Sequence, residues 1–143
     1  MTDLKDVLLF VFLTLFAARD LKTRRVLLPE VLLFALAGIV RLTLRQAWSL
    51  WYPAGVPIGL ALLWASRARG SGIGQGDAWF FLALSFWLRV QELLLLLWGS
   101  LALCALTGLG LMLAGRGGRK MQLPLLAFVW LSWLLGRLSI LSV

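Results

Sequence analysis

The chain has 143 residues, 62% of them hydrophobic, and a formal net charge of +8. Soluble domains are about 45–50% apolar, and one small core cannot bury such an excess. The composition excludes an ordinary soluble globule and predicts an integral membrane protein. With no His and a single Cys, Cys104, the chain also lacks the means for Ser-His-Asp or Cys-His catalysis, a zinc cluster or an intrachain disulfide. The basic residues interrupt apolar runs, so the positive charge reads as a membrane-topology signal and predicts no nucleic-acid partner.

The first apolar run extends from Leu4 to Ala18 and ends near Arg19-Asp20. Its N-terminal flank carries more acid than base, unlike a secretory signal, and predicts a retained helix. The basic stretch Arg19, Lys22, Arg24 and Arg25 follows. The second run is Leu27 to Leu44, with Arg41 near enough to its end to snorkel outward. Residues Gln46 to Tyr52 form an interfacial belt with Trp48, Trp51 and Tyr52. The third run ends at Ser66 before Arg67 and Arg69, and within it Gly55 and Gly59 have the spacing of a close helix contact.

A glycine-rich loop, Gly70 to Gly76, leads into Asp77. From Ala78 to Gly115 the chain is apolar except at Arg89, Gln91 and Glu92. That stretch is too long for one crossing of about 20 residues, so Arg89 to Glu92 is read as a turn, with Arg89 and Glu92 paired at the surface. After the break at Gly115 to Lys120, a last run starts at Leu123 and continues toward Val143. The expected architecture is all-α, a polytopic bundle of about six transmembrane helices forming one membrane domain over 1–143. Basic residues in the loops after the first, third and fifth runs outnumber those on the other side, nine to five. Those loops are predicted to face the cytoplasm, with both termini outside.

Carboxylate chemistry must come from Asp3, Asp6, Asp20, Glu30, Asp77 or Glu92. The predicted topology returns Asp20, at the end of the first span, and Asp77, at the start of the fourth, to the same membrane surface. Ionisable groups there are costly, and two carboxylates brought together resist double ionisation, so one retains a proton. That division suits peptide hydrolysis, with the charged acid taking a proton from water and the neutral one donating to the carbonyl. Plainer roles exist for each. Asp20 can pair with a neighbouring base, and Asp77 can cap the helix that follows it.

Gly74-Gln75-Gly76-Asp77 reads G-x-G-D at the start of a membrane helix, where glycines allow close backbone approach and unusual dihedrals. This pattern, with Asp20-Leu-Lys-Thr-Arg-Arg-Val-Leu-Leu-Pro-Glu30, resembles the type IV prepilin and archaeal preflagellin peptidases, membrane aspartyl proteases of the G-x-G-D class. The resemblance implies that Asp20 and Asp77 are catalytic. It implies that Gly74, Gln75 and Gly76 form a substrate loop. The implied substrate is a prepilin-like membrane protein, cut after Gly behind a short basic leader, at the cytoplasmic face of a prokaryotic inner membrane. Larger members carry paired Cys-x-x-Cys motifs in an insert and also methylate the product. With one Cys here, neither metal nor other cofactor is expected. Departures from the family pattern are a loop longer by two residues before Pro29, Glu30 in place of Asn or Asp, and Trp79 in place of Lys. Pro29-Glu30 also reads as an ordinary first helical turn. A non-catalytic scaffold, or a degenerate relative, is the main alternative, and a small transporter a further one. Against the transporter, both acids lie at helix ends rather than mid-span.

Overall fold

The computed structural model describes residues 4–23, 26–44, 53–68, 74–116 and 123–141. The interfacial belt at 46–52, the loop residues 70–73, and Arg24, Arg25, Arg69, Arg119 and Lys120 lie outside the described residues. Six α-helices and no strand occur among those described. They are α1 (Leu4–Thr23), α2 (Leu28–Leu44), α3 (Val56–Arg67), α4 (Gln75–Leu84), α5 (Val90–Leu113) and α6 (Leu125–Leu141), with a 3-10 turn, Pro53–Gly55, ahead of α3.

Buried residues recur at helical spacing. Leu9, Leu13, Phe16, Ala17 and Asp20 share one face of α1, and Val31, Phe34, Gly38 and Leu42 one face of α2. The innermost helix is α4, where Ala78, Phe80, Phe81, Ala83 and Leu84 are all buried. It packs against α2 and α3, while α6 packs against α1 and α5.

A column of rings runs through the centre. Phe34 stacks on Trp87 (5.1 Å, 7°) and on Phe80 (6.0 Å, 10°), with Phe16 edge-on to both Phe34 and Phe80. The indole Nε1 of Trp87 donates to the Phe34 carbonyl at 2.9 Å. Each such ring pair contributes about 0.5–1.5 kcal/mol beyond the area it buries. Gly38 makes room for the column, since a Cβ there would lie 2.7 Å from Trp87 Nε1. Gly59 does the same for the α3–α4 crossing, where a Cβ would lie 2.6 Å from Leu82 Cα. Gly55 sits beside Ser85 and Leu93, so the glycine pair expected to mark a helix contact does face the neighbouring elements.

Two sets of polar contacts define the ends of the bundle. At one end Lys5 reaches Glu92 at 3.0 Å, and Arg137 pairs with Asp6. At the other Arg19 pairs with Glu30, and Asp20 meets the start of α6. Successive helices therefore run up and down. Glu92 corrects the sequence reading. Its carboxylate accepts the Arg89 backbone N–H at 3.2 Å as part of a capping box and takes Lys5, not the Arg89 side chain, as its ion-pair partner. Arg41 also departs from expectation. Its Nε and Nη1 are buried, and its guanidinium carbon sits 5.9 Å from the Trp87 ring instead of snorkelling outward.

Among the described residues only α5 is both long and apolar enough to cross a membrane by length and composition, while α3 and α6 are shorter apolar helices. The fourth predicted crossing is a helix of 10 residues, about 15 Å long at 1.5 Å per residue. Beyond it the chain turns through Ser85 to Leu88, and the freed backbone groups find partners. Trp87 N–H donates to the Leu84 carbonyl at 2.9 Å, and the Ser85 hydroxyl to the Leu82 carbonyl at 2.6 Å. The outer surface is strongly apolar, with Leu33, Trp64, Trp98 and Leu113 exposed.

Candidate active site

Asp20 follows Leu13, Phe16 and Ala17 on the buried face of α1, and the same periodicity carries its carboxylate inward. It is 6% exposed. Its Oδ2 accepts the backbone N–H of Leu126 at 3.1 Å. Leu126 lies in the first turn of α6, just after Pro124. The first N–H groups of a helix have no partner within it, and the positive end of the helix favours a carboxylate. The neighbouring Arg19 binds Glu30 in the first turn of α2. Asp20 is thus supported from α6 while Arg19 ties α1 to α2.

Asp77 lies in the first turn of α4, ahead of the apolar run that opens at Ala78. Gly74 is the N-cap, extended at φ −65° and ψ 135°, and its carbonyl accepts the Ala78 N–H at 3.2 Å. That conformation is open to any residue, so unusual dihedrals do not explain this glycine. Space does. A Cβ on Gly74 would lie 2.9 Å from Asp77 Oδ2, and one on Gly76 would lie 3.0 Å from Val26 Cβ. The two glycines let the acid lean back over the helix start and let that start sit against the chain leading into α2. Gln75, the first residue of α4, is exposed.

Burial, and after it the negative charge of Asp20, pushes the Asp77 carboxyl up from 3.8 to about 6. The two acids, far apart in sequence, therefore share one electrostatic environment at one end of the bundle. One of them holds a proton more readily than a free aspartate, while the other has a backbone donor on its carboxylate. Such a pair can take a proton from one group and deliver one to another.

The sequence singles out both aspartates and both glycines, and the structure places Asp77 within reach of the Asp20 charge. Sequence reasoning missed the Asp20–Leu126 bond, whose one local signal is Pro124 at the start of the last apolar run. It also missed the pairing of Arg19 with Glu30, having read Glu30 as a residue favoured at a helix start. Glu30 does occupy the first turn of α2.

No curated protein and no solved structure matches the chain significantly. The profile of the type IV leader peptidase family matches residues 7–109, which include Asp20, the G-x-G-D segment and Asp77 and stop short of α6. With well over half its length matched, the chain belongs to the type IV leader peptidase family.

Proposed function

We propose that this chain is a membrane aspartyl endopeptidase that removes the short basic leader of prepilin-like or preflagellin-like substrates after Gly. The observation that carries the reading is the placement of partly buried Asp77 within reach of the Asp20 charge at one end of the bundle, in a chain of this family. Residues 1–143 act as one peptidase domain in the cytoplasmic membrane of a prokaryote. The helices cross several times, the termini lie outside, and the aspartates face the cytoplasm. The nine-to-five distribution of basic residues supports that orientation, and the apolar outer surface supports burial in lipid.

In the proposed reaction Asp20, as carboxylate, takes a proton from water, and the oxygen attacks the Gly carbonyl carbon. Asp77 gives its proton to the carbonyl oxygen. As the tetrahedral intermediate collapses, the C–N bond breaks, the leaving amine takes the proton held by Asp20, and the hydroxyl proton returns to Asp77. Both acids end in their starting states, with no metal or cofactor. Gly74, Gln75 and Gly76 border the place where an extended substrate strand would lie beside Asp77.

One observation favours a second reading. Asp20 is satisfied by the start of α6, as a purely structural acid would be. A non-catalytic scaffold descended from a peptidase fits that contact equally well. Cleavage of a membrane-inserted prepilin, read as a mass shift, separates the two. The wild type is expected to cut after the leader Gly, and Asp20→Asn and Asp77→Asn, with folding intact, to cut nothing. Cleavage surviving both substitutions removes the two-aspartate mechanism. A wild type inert against a panel of leader sequences establishes the scaffold.

A further inference from the structure

At the end of the bundle opposite the aspartates, a cavity of about 300 Å³ opens between the start of α1 and the end of α2. Lys5 and Arg41 line it, with Leu4, Ala37, Val40 and Leu44 among its apolar walls. The Lys5 ammonium gives one contact to Glu92 and has three donors to give. Nε and Nη1 of Arg41 are buried without a hydrogen-bond partner, and the nearest compensation is the face of Trp87. Among the described residues the other acid at this end, Asp6, is held by Arg137. Two cations and one shared anion leave an excess positive charge against apolar walls. A desolvated cation is costly until an anion joins it.

Around the cavity Leu4, Val40 and Leu44 are 63%, 45% and 79% exposed. A free inorganic anion would answer the charge and leave these side chains uncovered. A molecule with an anionic head and hydrocarbon tails answers both. We propose that this cavity binds the phosphate of an anionic phospholipid, with Lys5 and Arg41 on the headgroup and an acyl chain along Leu4, Val40 and Leu44. The site is separate from the aspartate pair and independent of its chemistry. It also differs from diffuse attraction of exposed loop lysines and arginines to a membrane surface, because its cation is built into the helix packing.

The test uses the full chain in nanodiscs of phosphatidylcholine doped with phosphatidylglycerol, with retained lipid counted by native mass spectrometry. The wild type is expected to retain phosphatidylglycerol over phosphatidylcholine by about thirtyfold, the two basic residues acting together. Arg41→Gln is expected to bring the ratio close to one. Ala37→Phe, which fills the cavity and removes no charge, is expected to do the same. It decides the matter if Arg41→Gln fails to fold. Equal retention of the two lipids by the wild type overturns the proposal, as does undiminished selectivity in Ala37→Phe. Displacement of phosphatidylglycerol by inorganic phosphate at equal concentration also overturns it, in favour of a free-anion site.

Discussion

Asp20, near the end of the first helix, accepts a hydrogen bond from the backbone N–H of Leu126, in the first turn of the sixth. One carboxylate therefore has two duties, stabilising the start of α6 and, in the proposed mechanism, activating water.

The duties separate by substitution. Asn keeps an oxygen for the Leu126 N–H and cannot take a proton from water. Asp20→Asn is expected to fold like the wild type and to lose cleavage. Asp20→Ala removes the acceptor as well, and loss of a helix-start acceptor costs about 0.5–2 kcal/mol. Thermal unfolding in detergent is expected to show a lower midpoint for the alanine variant than for the asparagine variant. Equal midpoints would mean that the contact adds no stability.

The proton on Asp77 sets a pH dependence. Its carboxyl is raised to about 6 in the folded chain, above its ordinary 3.8. The folded state binds the proton more tightly, so this group's contribution to stability is full below the ordinary value and is lost as pH rises through about 6. If Asp77 donates that proton in the reaction, kcat/KM for a detergent-solubilised prepilin falls over the same range. A profile flat from about pH 5 to about pH 8, a range that brackets the Asp77 value of about 6, would count against Asp77 as donor.

Gly74 is expected to be intolerant of a side chain for a local reason. Gly74→Ala places a methyl 2.9 Å from the Asp77 carboxylate oxygen and pushes the acid out of position. Turnover should fall by about tenfold or more, the result of misplacing a reacting group, with the helical circular dichroism unchanged. Gly76→Val meets Val26 instead, so it tests the fit of the helix start against the chain before α2. Unaltered turnover in both variants would show that the glycines serve neither purpose.

The α3–α4 crossing offers a paired test of packing. Gly59→Ala meets the backbone of Leu82, which cannot yield as a side chain can, and is expected to destabilise by about 1–3 kcal/mol. At Gly110, in α5, a Cβ meets nothing within 4 Å. There Gly110→Ala should stabilise by about 0.4–1 kcal/mol through lower unfolded-chain entropy. Unfolding midpoints moving in opposite directions would bear out both statements.

Much of this layout was legible before any coordinates, because helices in an apolar chain are bounded by local signals. The turn expected at Arg89 to Glu92 lies a few residues earlier, at Ser85 to Leu88, and residues 90–92 open α5, while Pro29 and Asp77 fall in the first turns of their helices. The G-x-G-D segment marks Asp77 and its glycines together, and Gly74 does lie against that acid. Partner choice was not legible. Glu92 chose Lys5, Arg19 chose Glu30 and Arg41 settled under Trp87, each by a meeting of helix ends that spacing along one helix does not encode. The use of Gly74 was half legible. The sequence required a small residue there, and the backbone angles show that room, not torsional freedom, is the requirement.

The bond from Leu126 to Asp20 also has a consequence for biosynthesis. Asp20 belongs to α1 and its donor to α6, which leaves the ribosome later. Until translation has delivered α6, the carboxylate lacks the Leu126 N–H, even with α4 and Asp77 already made. On the proposed function, the acid pair therefore gains its support from α6 only after the other five helices of the bundle have been made.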